Sequence, residues 1–217
     1  MPKYSQASLE PPRLLLLDID GVLQFKPPQF DRQVAEKLAW NGDYRAFVAA
    51  MFQAPDFDEV LCGRADLLDL TARLLPTHQP GLAPAAFLDG WVTDFTLNHE
   101  LIATLARVHG AALRLASNQE GHRGRRIPAL YDRYPWLGHA YLSYQLGYKK
   151  PQPEFFRSIL TDLRIDSSEV LFIDDALAHV EAACALGIRG VHFKSNTQVY
   201  EVLIELGLLD ASVEGSH

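Results

Sequence analysis

The chain has 217 residues, 48% of them hydrophobic, and a formal charge of −7 at pH 7. That is enough apolar content for a full core, in one domain with an insertion or in two small domains. The acidic balance excludes a general nucleic-acid binder, which needs excess Lys and Arg to neutralise phosphates. No apolar run has the length of a membrane span, and Met1 to Pro12 lacks a signal-peptide core, so a cytoplasmic protein without a membrane partner is expected.

The first predicted element is a strand over Arg13 to Leu17, whose four leucines suit burial on both faces. It delivers Asp18 and Asp20 to a turn at Gly21. Side chains two apart on an extended backbone project to one side, so both carboxylates can address one small volume, where their repulsion calls for a cation. A solvated Asp-Gly turn explains the same letters. From Phe25 to Phe95 no strand is predicted; helical patterns run over Asp31 to Asn41, Asp43 to Phe52, Ala65 to Leu75 and Ala83 to Phe95, punctuated by Pro and Gly. A helical insertion there would overlie the carboxyl ends of the strands, where open parallel sheets place ligands.

The alternation of helix and strand then begins. Leu101, Ile102, Leu105 and Val108 share a helical face. A strand over Ala112 to Ala116 ends at Ser117-Asn118, where a helix start would favour an anion, although Ser117 with Glu120 is also an ordinary capping box. A strand over Ala140 to Leu142 precedes Lys149-Lys150-Pro151-Gln152-Pro153, two cations before a proline-initiated helix. They can balance carboxylates or a phosphate, or be plain surface lysines. The strand over Val170 to Ile173 ends in Asp174-Asp175, the strand over Gly190 to Phe193 follows, and a last helix has Asn196 as cap and Gly207 as stop. Such an α/β order indicates a parallel sheet covered on both sides. Cys62 and Cys184 read as reduced structural thiols, and the tail from Glu214 to His217 as frayed.

Together the four strand-end segments resemble the haloacid dehalogenase superfamily: Asp-x-Asp-Gly at Asp18 to Gly21, then Ser117 with Asn118, Lys150 before Pro-x-Pro, and the acidic pair Asp174-Asp175. The resemblance implies a Rossmann-like, doubly wound core from residues 1–22 and 96–217, with a small helical cap at 23–95. It implies Asp18 as nucleophile toward a phosphoryl group and Asp20 as general acid and base. Ser117 and the Asn118 N–H would hold phosphoryl oxygens, and Lys150 would balance charge. Mg²⁺ would be held by Asp18, the Asp20 carbonyl and Asp174, with Asp175 as ligand or water-mediated partner. The second aspartate favours phosphoryl transfer over dehalogenation.

The expected activity is hydrolysis of a small phosphorylated metabolite by a monomer or homodimer. A sugar-phosphate mutase of the beta-phosphoglucomutase type and a non-catalytic metal- and phosphate-binding module are the alternatives. His179 stands where many relatives carry Asn, and helical spacing allows it to orient Asp175 or to be a plain polar residue. Gln24, Phe25, Lys26, Arg64 and Trp91 are candidates for lining the cap, with Lys26 and Arg64 able to hold a second anion. The other histidines show no metal spacing.

Overall fold

Four consecutive leucines make the central strand because each face of the sheet claims two of them. The computed structural model describes residues 10–91 and 95–210. Its main sheet contains β1 (Leu14–Leu17), β4 (Ala112–Ser117), β5 (Ala140–Leu142), β6 (Val170–Asp174) and β7 (Arg189–His192). All are parallel, in the order β5-β4-β1-β6-β7. Relative to one another these strands follow the doubly wound order, which reverses beside β1 and leaves a crevice above β1 and β6. Strand alternation sends Leu15 and Leu17 to one core with Leu101, Ile102, Val199 and Leu203. Leu14 and Leu16 go to the other, with Phe155, Phe156 and Ile159.

The helices are α6 (His99–Leu105), α7 (Gly121–Gly124), α8 (Ile127–Tyr131), α9 (Ser143–Leu146), α10 (Pro153–Leu163), α11 (Leu177–Cys184) and α12 (Asn196–Glu205) around the sheet, preceded by α1 (Phe30–Lys37), α2 (Tyr44–Phe52), α3 (Phe57–Leu61), α4 (Leu67–His78) and α5 (Pro84–Trp91). The earlier group encloses its own apolar cluster, centred on Val34, Phe47, Met51, Leu70 and Phe87. It forms where the sequence breaks its strand rhythm, and Asp43 and Asp66 cap α2 and α4 by accepting from Ala46 N–H and Leu68 N–H.

Several expectations are corrected. A short antiparallel ribbon, β2 (Gln24–Phe25) with β3 (Thr96–Leu97), joins the two ends of the helical segment; two-residue strands carry no readable period. The helix α3 went unpredicted because its five residues are too few for a helical pattern. Val108 lies beyond the end of α6 and packs on the core from a loop. Ser195, not Asn196, caps α12 by accepting from Gln198 N–H, while Asn196 pairs with Asn98 and Glu100. Of the pattern expected over Ala83 to Phe95, Pro84–Trp91 is helix, and residues 92–94 lie outside the described residues. Both cysteines are free thiols. The tail from Glu214 to His217 lies outside the described residues. No helix among the described residues is long and apolar enough to cross a membrane.

Candidate active site

The register of β1 against β6 pairs Leu17 with Ile173, so the next residue on each strand, Asp18 and Asp174, emerges side by side at the crevice. Asp18 N–H donates to Ile173 O at 2.9 Å, which holds the two strand ends together. Carboxylate oxygens of Asp18, Asp174 and Asp175 lie within 4.8 Å of one another. The turn that follows needs Gly21: its φ is +84°, and a Cβ there would overlap the Asp175 carboxylate.

Lys150, from the loop before α10, is fully buried and reaches both strands. Its ammonium lies 2.9 Å from Asp18 Oδ1 and 2.6 Å from Asp174 Oδ2. It also donates to Ala116 O at 2.9 Å. Burial pulls the Lys150 ammonium down, and the two carboxylates more than reverse that, so the group stays charged. Burial pushes Asp18 up to about 6, with Lys150 opposing and Asp174 reinforcing the rise. Asp174 is also penalised by burial, but His179 and Lys150 outweigh it and draw it to about 2. Burial and the neighbouring Asp174 raise Asp175.

Asp20 takes a different set of partners. Arg123, in α7, donates to Asp20 Oδ1 and Oδ2 at 2.6 and 2.8 Å. Gln24 and Gln119 each add an amide N–H at 2.8 Å. Burial alone would raise the Asp20 carboxyl, but these donors, led by Arg123, hold it below its ordinary value. The Asp20 side chain is therefore not among the three gathered carboxylates, and only its main chain is left for the metal role implied by the resemblance. Ser117 is buried at the end of β4, and its Oγ accepts from Gln119 Nε2 at 3.1 Å. Asn118 exchanges hydrogen bonds with the Lys150 backbone, donating to its carbonyl at 2.8 Å and accepting its N–H at 2.7 Å. This pair fixes where Lys150 enters the site.

Four expectations fail in detail. Glu120 is itself the cap of α7, accepting from His122 N–H and Arg123 N–H, so Ser117 and Glu120 form no capping box. The helix at that strand end has four residues, too short to supply the expected dipole. His179 contacts Asp174, with Nδ1 3.1 Å from both carboxylate oxygens, rather than Asp175. Arg64 is tied to Glu59 and to Gly147 O and borders a separate pocket with Gly121, His122 and Tyr144. In contrast, Gln24, Phe25, Lys26 and Trp91 do line a cavity of about 460 Å³ that opens beside Asp20 and Asp175. Arg123 and Gln119 were missed because they stand in a polar run, Gln119 to Arg126, that reads as solvated surface.

The donor set fits a hard divalent cation. Asp18, Asp20, Asp174 and Asp175 face Lys150 and Arg123, so four carboxylates meet two cations and two formal negative charges remain. Three of those carboxylates already converge, with the oxygen chemistry Mg²⁺ prefers.

A model of a hydrolase family, the haloacid dehalogenase-like hydrolases, matches residues 12–187. Over 49 residues the chain is 45% identical to a D-ribitol-5-phosphate phosphatase of Bacteroides thetaiotaomicron, covering 23% of this chain and 24% of that protein. Over 74 residues it is 31% identical to a flavin mononucleotide hydrolase of Arabidopsis thaliana, covering 32% of this chain and 30% of that protein. These matches thus span less than a third of the curated relatives' own lengths. Among solved structures, a HAD family enzyme of Bacteroides thetaiotaomicron in complex with magnesium and inorganic phosphate aligns with a TM-score of 0.67 and 21% identity, over 84% of this chain and 94% of that one. At that identity the likeness establishes the shared fold.

Proposed function

Because the chain belongs to the haloacid dehalogenase-like hydrolases, we propose that it is a Mg²⁺-dependent phosphatase that hydrolyses a small phosphorylated metabolite through an aspartyl-phosphate on Asp18. The observation that carries this reading is the buried Lys150 ammonium between Asp18 and Asp174, with Asp20 held separately by Arg123. Asp18, Asp174, Asp175 and the Asp20 main chain would hold the metal. Bound Mg²⁺ supplies the positive charge that lets a carboxylate meet a phosphate dianion.

Each residue then has a task. With its Oδ1 held by the Lys150 ammonium at 2.9 Å and the Ile19 N–H at 2.8 Å, the Asp18 carboxylate attacks phosphorus as the ester P–O bond breaks. The departing alkoxide takes a proton from Asp20. Water then attacks the phosphorus of the aspartyl-phosphate, giving its proton to Asp20 and releasing inorganic phosphate and free Asp18. Ser117 and the Asn118 N–H hold the non-reacting phosphoryl oxygens. Arg123 suits the base half of the cycle, in which Asp20 must be ionised. The guanidinium and the Gln24 and Gln119 amides together put two donors on each Asp20 oxygen, which leaves no lone pair for a proton, so the acid half requires one of these donors to let go. The helical unit from α1 to α5 serves as the cap, closing over the crevice and keeping water from the first transfer.

Two matched relatives are named for phosphate monoesters, one of a polyol and one of a flavin nucleotide, and this supports hydrolysis over intramolecular transfer. The test is release of inorganic phosphate from a panel of phosphate esters with Mg²⁺, by wild type and Asp18→Asn. Turnover in wild type and its loss in the variant are expected. Magnesium-dependent turnover that survives Asp18→Asn would remove Asp18 as nucleophile, and transfer to a second sugar hydroxyl without phosphate release would identify a mutase.

A further inference from the structure

The cavity of about 460 Å³ beside Asp20 and Asp175 lies within the ~300–1,000 Å³ range of small-molecule sites. Its wall on the helical side is aromatic: Phe25, Phe30, Phe52, Phe57, Trp91 and Phe95. Five of these six rings form two groups. Phe30 and Phe95 have centroids 5.3 Å apart, and Phe52 lies 4.9 Å from Phe57 and 6.3 Å from Trp91. Phe25 and Phe52, 39% and 46% exposed, are large apolar side chains left open at this cavity.

Most polar side chains of the same wall are already engaged. Arg123, Gln119 and Gln24 donate to Asp20, and the Arg123 Cζ also sits over Phe95, 4.0 Å from the ring centroid. The Glu120 carboxylate accepts two backbone N–H groups, and the Asn118 amide is occupied by the Lys150 backbone. Lys26 sits over the Phe30 ring at 5.0 Å, and the buried Gln24 Oε1 has no partner. Besides Asp20 and Asp175, which the chemistry occupies, this leaves the Lys26 ammonium and Gln24 Oε1, too few side-chain groups for the several hydroxyls of a polyol. A chain of hydroxyls among these rings would leave water without regaining hydrogen bonds, whereas an apolar body gives up none.

We propose that the alcohol half of the substrate is a large, mostly apolar body, an aromatic ring system or an isoprenoid chain, seated between the two groups of rings with its ester oxygen toward Asp20. This substrate class rests on the phosphatase reading above. The full chain with Mg²⁺ is assayed on acetyl phosphate, ribitol 5-phosphate, 1-naphthyl phosphate and farnesyl monophosphate. The kcat/KM of the better apolar ester is expected to exceed that of ribitol 5-phosphate by about 100-fold. Naphthyl phosphate ahead assigns a ring system; farnesyl monophosphate ahead assigns an isoprenoid.

Phe52→Gln, at an exposed position the fold tolerates, should lower the ratio of kcat/KM for that ester to kcat/KM for acetyl phosphate by about ten-fold. An apolar preference below about ten-fold, or a ratio unmoved by both Phe52→Gln and Phe25→Gln, overturns the apolar seat while leaving phosphatase chemistry standing. No turnover of any of the four, acetyl phosphate included, overturns the phosphatase reading and the seat with it. Calorimetry of the metal-free protein gives a readout without turnover. Naphthol or farnesol should bind with a negative heat-capacity change, and tighter binding of ribitol than of either refutes the proposal.

Discussion

Replacing Lys150 by Met keeps most of the side-chain volume and removes one charge from the least accessible part of the site. The ammonium is fully buried, 2.6 Å from Asp174 and 2.9 Å from Asp18. Breaking a buried ion pair by removing one partner costs about 3–5 kcal/mol, because the other charge stays buried without compensation. The Ala116 carbonyl also loses its donor, adding about 1 kcal/mol. Against a total stability of roughly 5–15 kcal/mol for a folded protein, this is a large fraction.

The loss should depend on pH. Without Lys150 the folded state holds its carboxyl protons more tightly than the unfolded chain does. The variant's stability therefore falls as pH rises through the window between the ordinary carboxylate range and neutrality. In wild type, Asp18 at about 6 already produces part of that slope. Asp174, drawn to about 2, contributes in the opposite sense, stabilising above the ordinary range and losing this as pH falls toward 2. Urea denaturation followed by circular dichroism, in EDTA at pH 7.5 and again at pH 5, measures both effects. A Lys150→Met variant within about 1 kcal/mol of wild type at pH 7.5, or a deficit that does not shrink at pH 5, would refute the reasoning.

Arg123→Met frees Asp20 from two charge-assisted bonds, so the Asp20 carboxyl rises and the alkaline limb of the kcat/KM profile moves up by about one pH unit. A pH–rate profile with an unmoved limb would rule this out. Gly21→Ala places a Cβ against Asp175 at a φ of +84°. It should cost about 1–2 kcal/mol in thermal or urea unfolding and raise the Mg²⁺ needed for half-maximal activity at least about ten-fold. Asn98→Ala removes the cap of α6 at Leu101 N–H and the donors to Val22 O and Asn196. About 2 kcal/mol should be lost in urea unfolding.

The parallel core was legible because its signals are strong and local. The runs ending at Asp18, Ser117 and Asp174 are buried strands whose ends are marked by a change from apolar to polar residues. The convergence of Asp18 and Asp174 was legible only through the order of motifs, since it depends on a strand register that no local pattern encodes. His179 shows the limit of spacing arguments. Helical periodicity points it at Asp175, but α11 begins at Leu177, so Asp175 lies before the helix and the ring turns to Asp174 instead. Arg123 escaped for the opposite reason: a basic run beside a strand end looks solvated until the fold turns one of its members inward. Arg64 went the other way, drawn by Glu59 into a local ion pair.

The strand that delivers Asp18 precedes the other described strands of its sheet and is the most central, with β4 on one side and β6 on the other. During synthesis, Leu14–Leu17 therefore emerges with both hydrogen-bonding edges open, and waits for partners that are translated after the whole helical segment. Four bare leucines with two free edges are a sticky intermediate. The independent apolar cluster of α1 to α5 can consolidate in that interval, while the site carboxylates remain apart until β6 docks. Yield in a cell should thus respond to translation speed and chaperone supply as well as to the stability of the finished protein.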